Sequence, residues 1–135
     1  MRIRRWSDPI VSSHILLFVN CCLYSISGYW LLTLFLFCNV VLSLMYHRYA
    51  EENEAWGNGD FIFSHLTLIC IFIHLLNYCD WLETLICAVW LILSLWVKDY
   101  DFQSYRFFHT LWHVMVFLGN LIVWHFLPLT EKLIF

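Results

Sequence analysis

Two imidazoles four residues apart, His109 and His113, stand near the start of a long apolar run in Phe107-Phe108-His109-Thr110-Leu111-Trp112-His113-Val114. Ser43 and His47, in Ser-Leu-Met-Tyr-His, repeat that spacing at the end of another apolar run. On a helix, residues four apart share one face about one turn from each other. A histidine in hydrocarbon is costly, so inward-facing polar pairs on two helices point to a purpose, and the chemistry they suit best is metal ligation.

The elements that must position these groups are membrane helices. The composition is 62% apolar and 20% aromatic with 13% charged residues, where an ordinary soluble domain carries about 25% charged. Asp, Glu, Lys and Arg are absent between Pro9 and His47, Phe61 and Cys79, Thr84 and Val97, and Phe107 and Thr130. A crossing takes roughly 20 apolar residues. The first interval holds two crossings, broken at Ser25-Ile26-Ser27-Gly28, and the third is short for one, so five helices are expected.

The expected boundaries are 9 to 26, 29 to 47, 60 to 79, 82 to 97 and 104 to 127. Ser7-Asp8-Pro9 offers a cap with proline at the first helical position, Gly57-Asn58-Gly59-Asp60 reads as a turn ending in a capping carboxylate, and Pro128 follows the last helix. No span alternates polar and apolar residues as a strand does. The fold class is all-α, a polytopic transmembrane helix bundle, forming a single domain over residues 1 to 135 without repeats. A cleavable signal peptide is not expected, because the first apolar run leads directly into the second with no small-residue cleavage site before it.

Arg2, Arg4 and Arg5 precede the first helix, and the turn after it carries no charge. The positive-inside bias therefore puts the N-terminus on the inner side of the membrane. With that topology His47 ends an inward-running helix, Asp60 begins the third, and His109 and His113 begin the fifth. All lie toward the inner face, whereas Asp80 and His125 fall on the opposite side.

A serine and histidine four apart late in the second helix, an aspartate early in the third, and His-x-x-x-His at the start of the last resemble the signature of the CREST superfamily of membrane hydrolases. That group includes alkaline ceramidases and the progestin and adipoQ receptors. Trp6-Ser7-Asp8-Pro9-Ile10-Val11, Tyr46-His47, Tyr78-Cys79-Asp80-Trp81-Leu82 and His109-Thr110-Leu111-Trp112-His113 are more closely similar to its myomaker and GPI-anchor phospholipase branch. The likeness is spread over most of the chain. Members of the family have seven helices where this chain has room for five, and a loss of two crossings preserves the orientation of the last helix. The family aspartate corresponds to Asp60 by topology and to Asp80 by local sequence; sidedness favours Asp60.

The resemblance implies that His47, His109 and His113 supply three imidazoles to Zn2+, with water at the fourth position. Asp60 would accept a proton or orient the water, and Ser43 would hydrogen-bond the water or a developing oxyanion. The implied substrate is a lipid ester or amide entering from the bilayer.

Each residue also has a plainer reading. The His109 and His113 pair could be polar glue between helices, Ser43 a small residue at a helix contact, His47 an interfacial histidine beside Arg48, and Asp60 a helix cap. His14, His65, His74 and His125 read as interfacial or packing residues, with His65, one turn inside Asp60, as a reserve ligand. The six cysteines lie in or at the ends of apolar spans without Cys-x-x-Cys spacing, which fits small buried hydrophobes. Glu51, Glu52 and Glu54 form an acidic inner loop able to dock a basic partner, and tryptophans near span ends fit interface anchoring. No basic patch for nucleic acid and no glycine-rich phosphate loop is present.

The expected partners are membrane lipids and other membrane subunits. A function of another class competes with hydrolysis: a small accessory or scaffold subunit of a larger membrane assembly, for which an energy-converting mitochondrial membrane is a natural place. Metal could then be structural, its shell closed by a fourth protein ligand instead of water.

Overall fold

A computed structural model describes residues 3–49, 52, 54–98 and 104–127, and these form five helices. They are α1 (Pro9–Ile26), α2 (Trp30–Arg48), α3 (Glu54–Tyr78), α4 (Trp81–Lys98) and α5 (Tyr105–Phe126), with no strand among the described residues. Helices α1, α2, α3 and α5 are long and apolar enough to cross a membrane, and α4 adds a shorter apolar stretch, Trp81–Val97. This fits a multi-pass membrane protein. The outward faces are correspondingly apolar, with side chains such as Ile15, Ile26 and Leu76 exposed on the surface.

Local chemistry sets the helix ends. Asp8 Oδ1 accepts from the Ile10 N–H with Pro9 at the first helical position, as expected from Ser7-Asp8-Pro9. The break between α1 and α2 is a Schellman turn: Tyr29 N–H donates to Tyr24 C=O, Gly28 N–H donates to Ser25 C=O, and Gly28 takes φ 81. Asp80 caps α4 by accepting from the N–H groups of Leu82 and Glu83, while Glu83 Oε2 accepts from the Asp80 N–H, a reciprocal capping box. Pro128, expected to follow the last helix, and Glu51 of the acidic loop lie outside the described residues.

One boundary departs from expectation. The Gly57-Asn58-Gly59-Asp60 segment is helical, and α3 begins at Glu54. The glycines here permit close approach between helices. A Cβ on Gly57 would lie 2.9 Å from the Tyr46 ring, and one on Gly59 would lie 3.2 Å from Leu42. In a membrane, where apolar burial does not drive helices together, such small-residue contacts let backbones pack closely. Asp60 is therefore a residue inside α3, not its N-terminal cap.

Side-chain contacts give the directions of the helices. Gly57 meets Tyr46 and Gly59 meets Leu42, so α2 and α3 run antiparallel. Trp90 Nε1–H donates to Met115 C=O and its indole lies over the position of Gly119, which fastens α4 to α5. Helices α1 and α5 are parallel, joined in ascending order by Ser13 to His113, Asn20 to Phe117, Tyr24 to Asn120 and Ser27 to Trp124. Ser13 and Asn20 of α1 and its C-cap Ser27 recur at intervals of seven, a polar seam that fixes the register of the two helices. The packing order is α3, α2, α1, α5, α4, with sparse contact of α3 with α4 and α5. One end of the bundle gathers the starts of α1 and α5 with the end of α2.

At that end the segment before α1 reaches across the bundle. Arg4 N–H donates to Arg48 C=O at 2.9 Å, the Arg48 guanidinium lies 4.6 Å from the Trp6 ring centroid, and Asp8 pairs with Arg106 at 3.5 Å. The strap runs from the residue after His47 to the turn before His109.

Candidate metal centre

Four imidazoles meet beneath this strap. His14 comes from the second turn of α1, His47 from the last turn of α2, and His109 and His113 from the first turns of α5, and all four are buried. Ring centroids lie 4.4 Å apart for His14 and His113, 4.6 Å for His47 and His109, 4.9 Å for His109 and His113, and 5.4 Å for His14 and His47. His14, His47 and His113 each offer one ring nitrogen to a group lying within 4.8 Å of one another, so these three buried histidines could hold a metal ion. His109 adjoins the group through Nε2, 3.0 Å from His47 Nε2.

Hydrogen bonds assign the protons, and the assignment decides what the site can do. The Ile10 carbonyl can only accept, so the 2.8 Å contact to His14 requires a proton on His14 Nδ1. The same carbonyl accepts from the Ser13 hydroxyl at 2.8 Å. That uses the single Ser13 proton, so the 2.6 Å contact between Ser13 Oγ and His113 Nδ1 has the imidazole N–H as donor. In the neutral rings, both Nε2 atoms then carry lone pairs. His14 Nε2 accepts from the Ser43 hydroxyl at 3.1 Å. His113 Nε2 is buried and has no hydrogen-bond partner among the described residues.

A buried lone pair without a donor is uncommon in a folded protein. Metal-binding histidines show this pattern: one ring nitrogen donates to a carbonyl or hydroxyl, which fixes the tautomer, and the other faces the ion. The donor set therefore fits a cation that prefers imidazole nitrogen. The 3.0 Å contact of the His47 and His109 Nε2 atoms is a hydrogen bond in which one ring donates to the other.

No family model, curated protein or solved structure matches this chain.

The structure brings together Ser43, His47, His109 and His113 of the sequence-derived set. Asp60 is half-buried in the second turn of α3 and does not belong to the group of ligand atoms within 4.8 Å. The packing of Gly57 and Gly59 against Tyr46 and Leu42 nonetheless sets its stretch of α3 beside the Ser43 turn of α2. Asp80 caps α4. His65, the reserve ligand, is exposed, and its Nδ1–H donates to Phe61 C=O within its own helix. His74 likewise donates to Cys70 C=O, and His125 is exposed. Outside the spans, burial first and then the Glu83 and Asp80 carboxylates push the Cys79 thiol up, away from thiolate chemistry.

His14 is the residue that sequence reasoning passed over, reading it as a packing histidine. The signal that finds it is depth. It lies in the second turn of α1, at the same end of the bundle as the early turns of α5 that carry His109 and His113, and Ser13 beside it opens the seven-residue polar seam.

Replacing Ser13 tests the proton assignment. In Ser13→Ala, His113 keeps its place in the helix but loses the acceptor that fixes its tautomer. Outer partners of this kind are worth about 10–100-fold in metal affinity, so chelator competition on the purified variant should give a loss in that range.

Proposed function

We propose that this chain is a membrane zinc protein of the CREST type that hydrolyses a lipid ester or amide, with its site at the inner end of the bundle. The observation that carries this reading is the convergence of imidazoles from three helices, two of them with Nδ1 protons spent on Ile10 and Ser13; of their Nε2 lone pairs, that of His14 meets the Ser43 hydroxyl and that of His113 has no donor among the described residues. Zinc suits neutral imidazole donors, and His47 and His113 belong both to the triad expected from sequence and to the triad completed by His14. The chemistry that zinc supplies at an open site is a water ionised near pH ~7 and polarisation of a carbonyl oxygen.

The residues around it have separable tasks. His47 and His113 hold the centre, and Ser13 and Ile10 orient the rings. Ser43, whose hydroxyl donates to His14 Nε2, would turn that donor toward the oxyanion that forms when an ester or amide carbonyl is attacked. Asp60, on the stretch of α3 beside Ser43, is the carboxylate that would receive the proton. The surrounding helices exclude bulk water, and the strap from Arg4 to Asp8 crosses the aqueous end, which favours substrate arriving from the bilayer.

A second reading has its own observation in favour. His14 is a fourth imidazole at the cluster, and four protein nitrogens would close a tetrahedral shell, leaving a structural metal that ties α1, α2 and α5 together without turnover. The chain would then be an accessory subunit of a larger membrane assembly.

The two readings separate in one assay. Zinc-loaded full-length protein in nanodiscs containing ester and amide lipids should release fatty acid, detected by mass spectrometry. Ser43→Ala should lower the rate about 10²–10³-fold while zinc content stays the same. Zinc bound at full occupancy with no release above protein-free nanodiscs would overturn hydrolysis in favour of the structural role.

A further inference from the structure

Between the start of α1 and the first turns of α5, a groove of about 420 Å3 is lined by Pro9, Arg106, Phe107, Thr110, Leu111 and Val114. That volume falls in the range of small-ligand sites, about 300–1,000 Å3. Its lining is apolar in effect: the Thr110 hydroxyl donates to Arg106 C=O at 2.7 Å, so the one side-chain hydroxyl there is spent inside the helix. The exception is at the mouth. Arg106 stands there with its side chain 60% exposed, its Nη2 3.5 Å from an Asp8 carboxylate oxygen that is itself largely buried.

The shape and charge run in the same order as a phospholipid. From Arg106 to Val114 is eight residues, roughly 12 Å of helix at 1.5 Å per residue, descending from the basic inner end into the apolar span. The guanidinium is a planar fork of five donors, more than one carboxylate oxygen engages, and it matches a phosphate in two-point contact. Asp8 also accepts from the Ile10 N–H, so its carboxylate anchors Arg106 over the groove. A cation held at the headgroup level above an apolar slot is complementary to an anionic headgroup on an acyl chain.

We propose that this groove binds one anionic phospholipid, an acyl chain lying along Phe107, Leu111 and Val114 and the headgroup phosphate on Arg106. The site is distinct from the histidine cluster, and neither zinc nor hydrolysis enters the argument.

Native mass spectrometry of the full-length chain released from micelles containing equal phosphatidylglycerol and phosphatidylcholine tests it. One phosphatidylglycerol should remain bound, at least fivefold in excess over phosphatidylcholine. Arg106→Gln should remove that preference, and Val114→Trp, which fills the slot, should remove the bound lipid. Asp8→Asn keeps an oxygen for the Ile10 N–H and the Arg106 cation, and should retain the preference even though it breaks the ion pair. Equal retention of the two lipids by the wild type would overturn the proposal. An unchanged preference in Arg106→Gln, or displacement of the bound lipid by millimolar inorganic phosphate, would do the same.

Discussion

His47→Ala should bind zinc more than about 100-fold more weakly than the wild type, since a direct ligand outweighs the outer partners that are worth about 10–100-fold. His47, like His113, is in ring contact with the other three histidines of the cluster. Its ring lies 5.4 Å from His14, 4.6 Å from His109 and 5.5 Å from His113, centroid to centroid. It is also the clustered histidine contributed by α2, so without it the cluster draws on α1 and α5 alone. The loss is expected whether the third nitrogen comes from His14 or from His109. Zinc should accordingly raise the melting temperature of the wild type in detergent and leave that of His47→Ala unmoved, because a ligand stabilises only the state that binds it. An unchanged zinc affinity in His47→Ala would place the metal elsewhere.

The second large effect belongs to the packing of α4. A Cβ on Gly119 would lie 2.7 Å from Trp90 Cδ1 and 2.9 Å from Nε1, closer than side-chain atoms approach in a packed interior. Gly119→Val must therefore push the indole away and break the 2.8 Å bond in which Trp90 Nε1–H donates to Met115 C=O. Overpacking together with a lost hydrogen bond should cost about 2–4 kcal/mol. Helix α4 packs chiefly against α5 and carries none of the clustered histidines, so zinc content should survive while thermal stability in detergent falls. That separation is informative, because it distinguishes a damaged bundle from a damaged site.

Much of the bundle was legible in the sequence because charge-free length and caps are local signals. Pro9 opens α1, Gly28 at positive φ closes the turn into α2, and the intervals without charged residues locate the remaining spans. The start of α3 was not legible. Gly57-Asn58-Gly59 has the composition of a turn, and only the presence of Tyr46 and Leu42 on the neighbouring helix shows that the glycines serve helix contact. The same division holds at the site. His47, His109 and His113 stood out by spacing and sidedness. His14 has no partner at helical spacing on its own helix that marks it, and its place depends on which helices pack together. Asp80 carried the more family-like local sequence, yet its oxygen is committed to the N–H groups of Leu82 and Glu83. Asp60 sits in the second turn of α3, on the stretch that packs beside the Ser43 turn of α2.

The proton pattern could not be read from sequence at all. It depends on the Ile10 carbonyl accepting from both His14 and Ser13, which leaves Ser13 Oγ to accept from His113 and turns two lone pairs toward one interior. An imidazole used as interhelical glue satisfies both its nitrogens, as His14 does on Ile10 and Ser43, whereas His113 Nε2 has no partner among the described residues.

X-ray absorption at the zinc edge on the purified, zinc-loaded chain is the most direct test of the central claim. The structure predicts a first shell of light atoms at about 2.0–2.1 Å with the outer-shell scattering of imidazole rings, lost in the His109→Ala, His113→Ala double variant. A shell at about 2.3 Å, the distance of cysteine sulfur, or a spectrum unchanged in that variant, would contradict a metal held by the histidines.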